Sequence, residues 1–133
     1  MREIKFRGKR LDNGKWITGD LSHGKNGKVY ICNIAKVFKS YIEVDPDTIG
    51  QYTGLYDKNG KEIYEGDIIL YGGSIQHEVV FRHGAFGYLL YGGEFISYAG
   101  NTNFTFNPLN RSKEHEVIGN IYDNPELTKA PKQ

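Results

Sequence analysis

One short motif, Asn-Gly-Lys, constrains the fold of this chain more than any other feature, because it occurs three times and is followed each time by a hydrophobic or aromatic run. The copies are Asn13-Gly14-Lys15, Asn26-Gly27-Lys28 and Asn59-Gly60-Lys61. Asn and Gly adopt positive φ at low cost, so an Asn-Gly pair between two apolar runs is typical of a tight β-hairpin turn. Irregular spacing of the copies argues against a solenoid of equal repeats.

The first copy predicts a hairpin at the N-terminus. Residues 2–7 alternate between charged and apolar side chains, with Ile4 and Phe6 on one side, as in a half-buried strand. The turn at residues 12–15 reverses this strand into a second one over residues 16–21. Further strands are predicted over residues 29–34, 37–44, 52–55, 62–64, 67–71, 75–81, 86–91, 95–98, 104–106 and 116–122. A short helix is the alternative for residues 37–44.

Composition and strand spacing predict a mainly β fold with little helix. The chain of 133 residues holds 17 glycines and 10 tyrosines and is poor in helix-favouring Ala and Leu. Short strands at this spacing favour a small closed or partly open barrel, because closure removes unpaired edges. Gly66-Asp67-Ile68, followed by a strand, is similar to the entry of a Src-homology-3-like barrel.

The predicted organisation is an N-terminal β-hairpin lobe over residues 1–50, a Src-homology-3-like β-barrel over residues 51–126 and a flexible tail over residues 127–133, folding as one cooperative unit. Asp45 and Pro46 are suited to cap and begin one helical turn that Gly50 would end, which places the boundary there.

Charge and cysteine content exclude several classes of function. The net charge of +1 provides no global field for holding a polyanion or an anionic membrane. Cys32 is the single cysteine, so an intramolecular disulfide and a Cys-x-x-Cys site are excluded, and a buried thiol is predicted. Without a signal-peptide core at the N-terminus or an apolar run of membrane-spanning length, a cytoplasmic location is expected.

Three segments, REIKFRGKR, VDPDTIGQYTGLYDKNGKEIYEGDII and EVIGNIYDNPEL, together resemble the YopX family, and the resemblance covers essentially the whole chain. It implies a protein encoded by a phage or prophage of bacteria, with no established biochemical role and an expected tendency to form homo-oligomers. The family supplies no catalytic residues to carry over. The glycine-rich stretches at residues 71–73 and 91–93 match no family motif.

The central segment contains four carboxylates that are candidates for acid–base chemistry: Asp57, Glu62, Glu65 and Asp67. A catalytic carboxylate pair must converge with split pKa values, and nothing in this spacing requires it. Asp57 is better explained as a turn residue that bonds its own backbone, and Asp67 as the first residue of a strand.

The histidines also favour structural roles. In Glu114-His115-Glu116 the flanking carboxylates would point away from the imidazole on a strand, so no metal site is predicted. His77 is predicted to be a hydrogen-bonded core or interface residue, and His23 and His83 to be exposed in turns.

Nucleophile and phosphate-binding motifs give no support to an enzyme either. Ser74 lacks the G-x-S-x-G context of a nucleophile elbow, and no phosphate-cradling loop is present. The sequence therefore predicts no catalytic site, no cofactor and no metal, and an enzyme is the least supported class.

Nucleic-acid binding is the alternative function. Small barrels pair basic grooves with aromatic stacking platforms, and five cations here lie close to two aromatic residues. The candidate residues are Arg2, Lys5, Arg7, Lys9, Arg10, Trp16 and Tyr30. Five cations with Glu3 and Asp12 nearby would support only weak, strongly salt-sensitive binding, because a footprint takes roughly six to ten phosphates.

Protein–protein interaction is the favoured function. The 10 tyrosines and 7 phenylalanines exceed what a core of this size would hide, and tyrosine suits interfaces. Self-association is predicted through Tyr52, Tyr56, Tyr64 and Tyr71. The expected partners are a second copy of the chain and a host or phage protein.

Overall fold

A computed structural model describes residues 3–33, 40–71, 75–82, 84–89, 95–98 and 114–128. Within these ranges the chain forms eleven strands, three short 3-10 turns and no α-helix, which confirms the mainly β prediction. The strands are β1 (Phe6–Lys9), β2 (Trp16–His23), β3 (Val29–Asn33), β4 (Ser40–Val44), β5 (Gly50–Tyr56), β6 (Glu62–Tyr64), β7 (Asp67–Tyr71), β8 (Ile75–Arg82), β9 (Ala85–Leu89), β10 (Phe95–Ser97) and β11 (His115–Asn120). The 3-10 turns span Lys25–Gly27, Pro46–Thr48 and Pro125–Thr128.

The chain divides into two compact units, residues 1–52 and 53–133, and the division falls within β5. In the first unit the strand order is β4-β3-β2-β1 followed by the start of β5. β1 and β2 form the predicted opening hairpin, in which Lys9 lies opposite Trp16 and Arg7 opposite Thr18. Its core consists of Val29, Ile31 and Val44, with Phe6, Ile17, Leu21 and Ile49 packed against them.

The Asn-Gly-Lys turns form as predicted. Gly14, Gly27 and Gly60 all have positive φ, between 71° and 80°, so each motif supplies the backbone conformation that its turn requires. The 3-10 turn at Pro46–Thr48 is capped by Asp45, whose carboxylate accepts the N–H of Asp47 at 3.0 Å. Gly50, predicted to end that turn, is instead the first residue of β5.

In the second unit the end of β5 pairs with β6, and the other strands form a sheet in the order β10-β9-β8-β7-β11. The alternating apolar positions of these strands pack into one cluster. Its buried members are Ile63, Ile69, Val79, Phe86, Tyr88 and Tyr98. Phe81, predicted to share the buried face of β8 with His77 and Val79, is 49% exposed because it lies near the end of the strand.

The Src-homology-3-like barrel is not confirmed, since the described strands form two antiparallel sheets and no closed barrel. Closure was expected because it protects strand edges, but the edge of β11 is protected in another way. The turn after β5 bonds the edge of β11, because the N–H of Lys58 donates to the carbonyl of His115 at 2.9 Å. The side chain of Asp57 adds a bond to the same edge, from the N–H of Val117.

Several predictions fall on residues that the structure does not describe. The strand predicted over residues 37–44 is confirmed for Ser40–Val44, and its earlier part lies outside the described residues. The same is true of the strand at residues 104–106, the loop serine Ser74 and most of the predicted tail. Cys32 lies in β3 and is buried, as predicted.

Candidate functional site

Asp57 is a buried carboxylate at the third Asn-Gly-Lys turn. Its Oδ1 accepts the backbone N–H groups of Asn59 at 2.9 Å and Lys61 at 2.8 Å. Its Oδ2 accepts the N–H of Val117 at 2.9 Å, across sixty residues of sequence. Both oxygens are therefore occupied by backbone donors, which a catalytic base would have to release. The predicted turn role is confirmed and extends to holding β11.

Two of the other central carboxylates, Asp67 and Glu62, also bond their own backbone or a neighbouring side chain. Asp67 is almost fully buried, and its Oδ2 accepts the N–H of Tyr64 at 2.7 Å, which closes the turn between β6 and β7. Glu62 accepts the hydroxyl of Tyr64 at 3.1 Å. These contacts favour the predicted structural role of Asp67 over a shared acid–base site.

Replacing Asp57 with Ala should lower the free energy of unfolding by about 3 kcal/mol or more, because three backbone N–H groups lose a charged acceptor. Urea denaturation followed by circular dichroism measures the loss. Lys58→Ala is the control, since the Lys58 ammonium lies in the same turn and its ion pair with Glu116, at 3.8 Å, is exposed. Equal stability of the two variants would contradict this role of Asp57.

His115 is fully buried in a cluster of aromatic rings. Its Nδ1 lies 3.0 Å from the hydroxyl of Tyr98, and the ring of Tyr88 meets it edge-on with the centroids 4.9 Å apart. Burial raises the pKa of Tyr98 far above its ordinary value, with smaller contributions from Tyr88 and Asp67. A neutral tyrosine bonded to a buried imidazole is a core contact, and the burial keeps a substrate from reaching either group.

The carboxylates that flank His115 do not converge on it. Glu114 is exposed, and Glu116 lies 3.8 Å from the Lys58 ammonium. Among the residues that the structure describes, no group of three His, Cys, Asp or Glu side chains is arranged to hold a metal ion. His23 is exposed, as predicted, and His83 lies outside the described residues.

His77 is the hydrogen-bonded core histidine that the sequence predicted. It is buried in β8, and its Nδ1 donates to the carbonyl oxygen of Leu89 at 3.0 Å. Its ring lies 5.3 Å from that of Tyr88, between centroids. Burial lowers the pKa of His77, because the imidazolium loses hydration, and the bond to Leu89 opposes this in part.

The lowered pKa of His77 makes the free energy of unfolding depend on pH. Below the ordinary histidine pKa the unfolded chain binds a proton that the folded chain resists, so stability falls as the pH drops from about 7.5 to about 5.5. His77→Gln keeps an N–H donor for Leu89 and does not titrate. We expect urea denaturation at the two pH values to show a smaller loss for His77→Gln than for the parent chain. Equal losses would assign the pH dependence to other groups.

The predicted basic strand is stacked against its own aromatic residues. Arg7 and Lys9 alternate with Phe6 and Gly8 in β1 and so share one face of the first sheet, and Lys5 directly precedes the strand. The Arg7 guanidinium lies 4.7 Å and the Lys9 ammonium 5.6 Å from the ring centre of Trp16. Trp16 therefore forms cation–π contacts within the chain and is partly covered where a nucleic-acid base would have to stack.

Of the other predicted nucleic-acid-binding residues, Lys5 and Arg10 are paired with carboxylates, and Tyr30 lies on another strand. The Lys5 ammonium lies 3.0 Å from the Glu3 carboxylate and 5.1 Å from the ring centre of Tyr52. Arg10 donates two hydrogen bonds to Asp12, at 2.9 and 2.7 Å, and these bonds lower the pKa of Asp12. Tyr30 is half-buried on β3, and Arg2 lies outside the described residues.

The four predicted interface tyrosines do not form one surface. Tyr52 and Tyr64 are buried, so their rings contact this chain itself. Tyr56 is 51% exposed. Tyr71 ends β7, and its side chain lies outside what the structure describes. Self-association through these tyrosines stays a prediction, for which Tyr56 is the accessible member.

An apolar groove at the outer edge of β4 was missed by the sequence analysis. Leu11 and Tyr41 are 57% and 56% exposed and line a surface groove of about 410 Å³ together with Asp12, Ile42 and Glu43. Exposed apolar side chains that form one groove are typical of a contact surface. The available signal was weak: Leu11 is an apolar residue within a turn, and residue type alone does not show exposure.

The groove lies where the pairing of β4 ends. β4 is an outermost strand of its sheet. Among the described residues, residues 9–11 bond the last part of its outer edge: the N–H of Leu11 donates to the carbonyl of Glu43 at 3.2 Å, and the N–H of Asp45 donates to the carbonyl of Lys9 at 2.8 Å. Backbone groups two residues apart in a strand point to the same side, so those of Tyr41 face outward like the carbonyl of Glu43. The backbone groups of Tyr41, on the N-terminal side of Glu43, are therefore oriented toward an added strand.

Comparison with known proteins identifies the family and the fold of the chain. The family model described as YopX protein matches residues 5–129. The crystal structure of protein EF1440 from Enterococcus faecalis is similar, with a TM-score of 0.57 and 24% identity over 97% of this chain and 100% of that chain. The crystal structure of protein yopX from Bacillus subtilis has a TM-score of 0.55 and 18% identity over 99% of this chain and 100% of that chain. At these identities the two structures establish a shared fold. No curated protein matches the chain, and no helix in the described ranges is long and apolar enough to cross a membrane.

Proposed function

This chain belongs to the YopX family, and we propose that it is a phage or prophage accessory protein that acts in the bacterial cytoplasm by binding other proteins, a second copy of itself among them. Catalysis is not part of the proposal. Asp57 and Asp67 bond the chain's own backbone, and His77 and His115 lie in its core.

The observation that carries the proposal is the groove at β4. Leu11 and Tyr41 expose apolar surface beside a strand edge that, within the part of the chain that the structure describes, residues 9–11 bond at Glu43 and Asp45. Apolar surface and edge N–H and C=O groups are the two features that β-strand addition uses, the first for area and the second for directed hydrogen bonds.

A second copy of the chain suits this edge. Two β4 strands can pair antiparallel about a twofold axis, because each edge offers the same donors and acceptors to the other. In that arrangement the Tyr41 ring of each copy covers apolar surface of its partner, and tyrosine is well suited to such a contact.

Size-exclusion chromatography with light scattering at high micromolar concentration tests the proposal. The parent chain should have the mass of two chains, and the double variant Leu11→Ser, Tyr41→Ser should associate at least about tenfold more weakly, because it loses the apolar area at the centre of the contact. Phe81→Ser is the matched control, since Phe81 is 49% exposed in the other unit. Circular dichroism checks that each variant is folded.

The outcomes separate the possible interfaces. A strictly monomeric parent chain would overturn self-association altogether. If Tyr56→Ser dissociates the dimer and the groove variant does not, the interface lies at the tyrosine that the sequence predicted.

Nucleic-acid binding remains a second candidate because two cations of β1, Arg7 and Lys9, lie over the ring of Trp16 and share one sheet face. This function predicts that labelled single- or double-stranded DNA binds at low salt and dissociates as salt rises, and that Lys9→Ala weakens binding while Lys61→Ala, in the other unit, does not. Absence of binding at low salt would eliminate it.

A further inference from the structure

β10 is the shorter of the two outer strands of the second sheet, with three residues against six in β11. Its residues pair with β9 from Gly87 to Leu89. Directly after the strand, the N–H of Tyr98 donates to the carbonyl of Phe86 at 2.9 Å. Short outer elements open at lower free energy than the centre of a sheet, so β10 depends on what its side chains add.

The side chain of Tyr98 provides a tether across the sheet. Tyr98 is buried, and its hydroxyl lies 3.0 Å from Nδ1 of His115, the first residue of β11. This hydrogen bond therefore links the end of one outer strand to the start of the other. Among the residues that the structure describes, His115 is the one hydrogen-bond partner of the Tyr98 hydroxyl.

Protonation of His115 changes this hydrogen bond. A neutral imidazole has one donor and one acceptor nitrogen, whereas an imidazolium has a donor at both. Tyr98 can then only accept, and its own O–H must turn to another acceptor inside the core. The new charge also lies on a side chain that is fully buried and so has no hydration. Opening the contact to water removes both costs.

The surrounding ionisable groups lie on several elements. In the described part of the chain they include Tyr88, His77, Asp67, Glu114 and Glu116. Tyr88 and His77 contribute rings and no carboxylate. Glu114 is exposed, and Glu116 points to the opposite face of β11 from His115, because adjacent residues in a strand alternate. Asp67 pairs with Asn120 at the other end of β11. The carboxylates therefore lie on the far face of β11 or at its far end.

We propose that the hydrogen bond between Tyr98 and His115 is an acid-sensitive latch: protonation of His115 releases Tyr98 and β10 from the second sheet while the other strands of this unit stay folded. The latch is independent of the β4 groove, which lies in the first unit.

Release would uncover the outer edge of β9. In the closed state the ring of Phe95 packs on Gly87, where a Cβ atom would lie 2.6 Å from the ring. Once β10 leaves, the backbone groups of β9 and the ring of Tyr88 face water together. A strand edge beside apolar surface is what an added strand of a partner binds, so acid would open a binding edge that neutral pH keeps covered.

Hydrogen exchange of the full chain at pH 7.5 and 5.5, followed by mass spectrometry, tests the latch. Rates are divided by those of the unfolded chain at each pH to give protection. Protection of residues 95–98 should fall about tenfold at the lower pH, the factor for one proton taken up by an imidazole of ordinary pKa, about 6.5. The amides of β8 should stay at least about tenfold better protected, because they exchange only when the whole unit unfolds.

His115→Gln should abolish the fall at residues 95–98, because Gln keeps a donor and an acceptor for Tyr98 and does not titrate. His23→Gln is the matched control, since His23 is exposed in β2, and it should leave the fall unchanged. Circular dichroism at pH 7.5 checks that each variant is folded.

Tyr98→Phe gives a second test that does not depend on changing the histidine. It keeps the ring and removes the hydroxyl, so residues 95–98 should lose about fivefold in protection already at pH 7.5, as expected for one net hydrogen bond. Unchanged protection in Tyr98→Phe would overturn the proposal. So would a full fall in His115→Gln, or a parent chain in which β8 and residues 95–98 reach the same protection at pH 5.5.

Discussion

The hydrogen bonds of one buried carboxylate, that of Asp57, hold together parts of the second unit that are far apart in sequence. One oxygen organises the β5–β6 turn through Asn59 and Lys61, and the other bonds Val117 in β11. The local turn and the distant strand therefore form as one arrangement. Removing the carboxylate would leave three backbone donors without their charged acceptor, so a residue with two accepting oxygens stabilises the fold at this position.

The part of this arrangement that is local could be predicted from the sequence. Asn-Gly pairs require a backbone conformation that few other residues adopt, so the turns at Gly14, Gly27 and Gly60 follow from residue type alone. The barrel could not be predicted correctly, because strand order depends on which edges find a partner. The edge of β11 is bonded by the Lys58 N–H and the Asp57 side chain rather than by a closing strand. The alternation of apolar residues along a strand does not show which partner its edge will bond.

The accessibility of the predicted site residues could not be inferred from the sequence, for the same physical reason. A basic strand followed by a tryptophan has the composition of a nucleic-acid surface, but strand register sets Lys9 opposite Trp16, and the cations stack on that ring. The tyrosines were predicted to form an interface because the chain contains so many of them. In the fold, Tyr52 and Tyr64 are buried, whereas Tyr41 is exposed. Residue type limits what a side chain can do, while register and burial decide which of those possibilities is available.

Two of the outer strands, β11 and β4, show how edge protection bears on function. β11 is bonded by the Asp57–Lys58 turn, so this part of the second unit offers little to an added strand. At β4, residues 9–11 bond the last part of the edge, and the backbone groups of Tyr41 point to the same side, beside the groove. An edge strand that is flanked by exposed apolar side chains lowers the solubility of a monomer. That cost is offset if a second strand pairs there, which is why the binding proposal rests on β4.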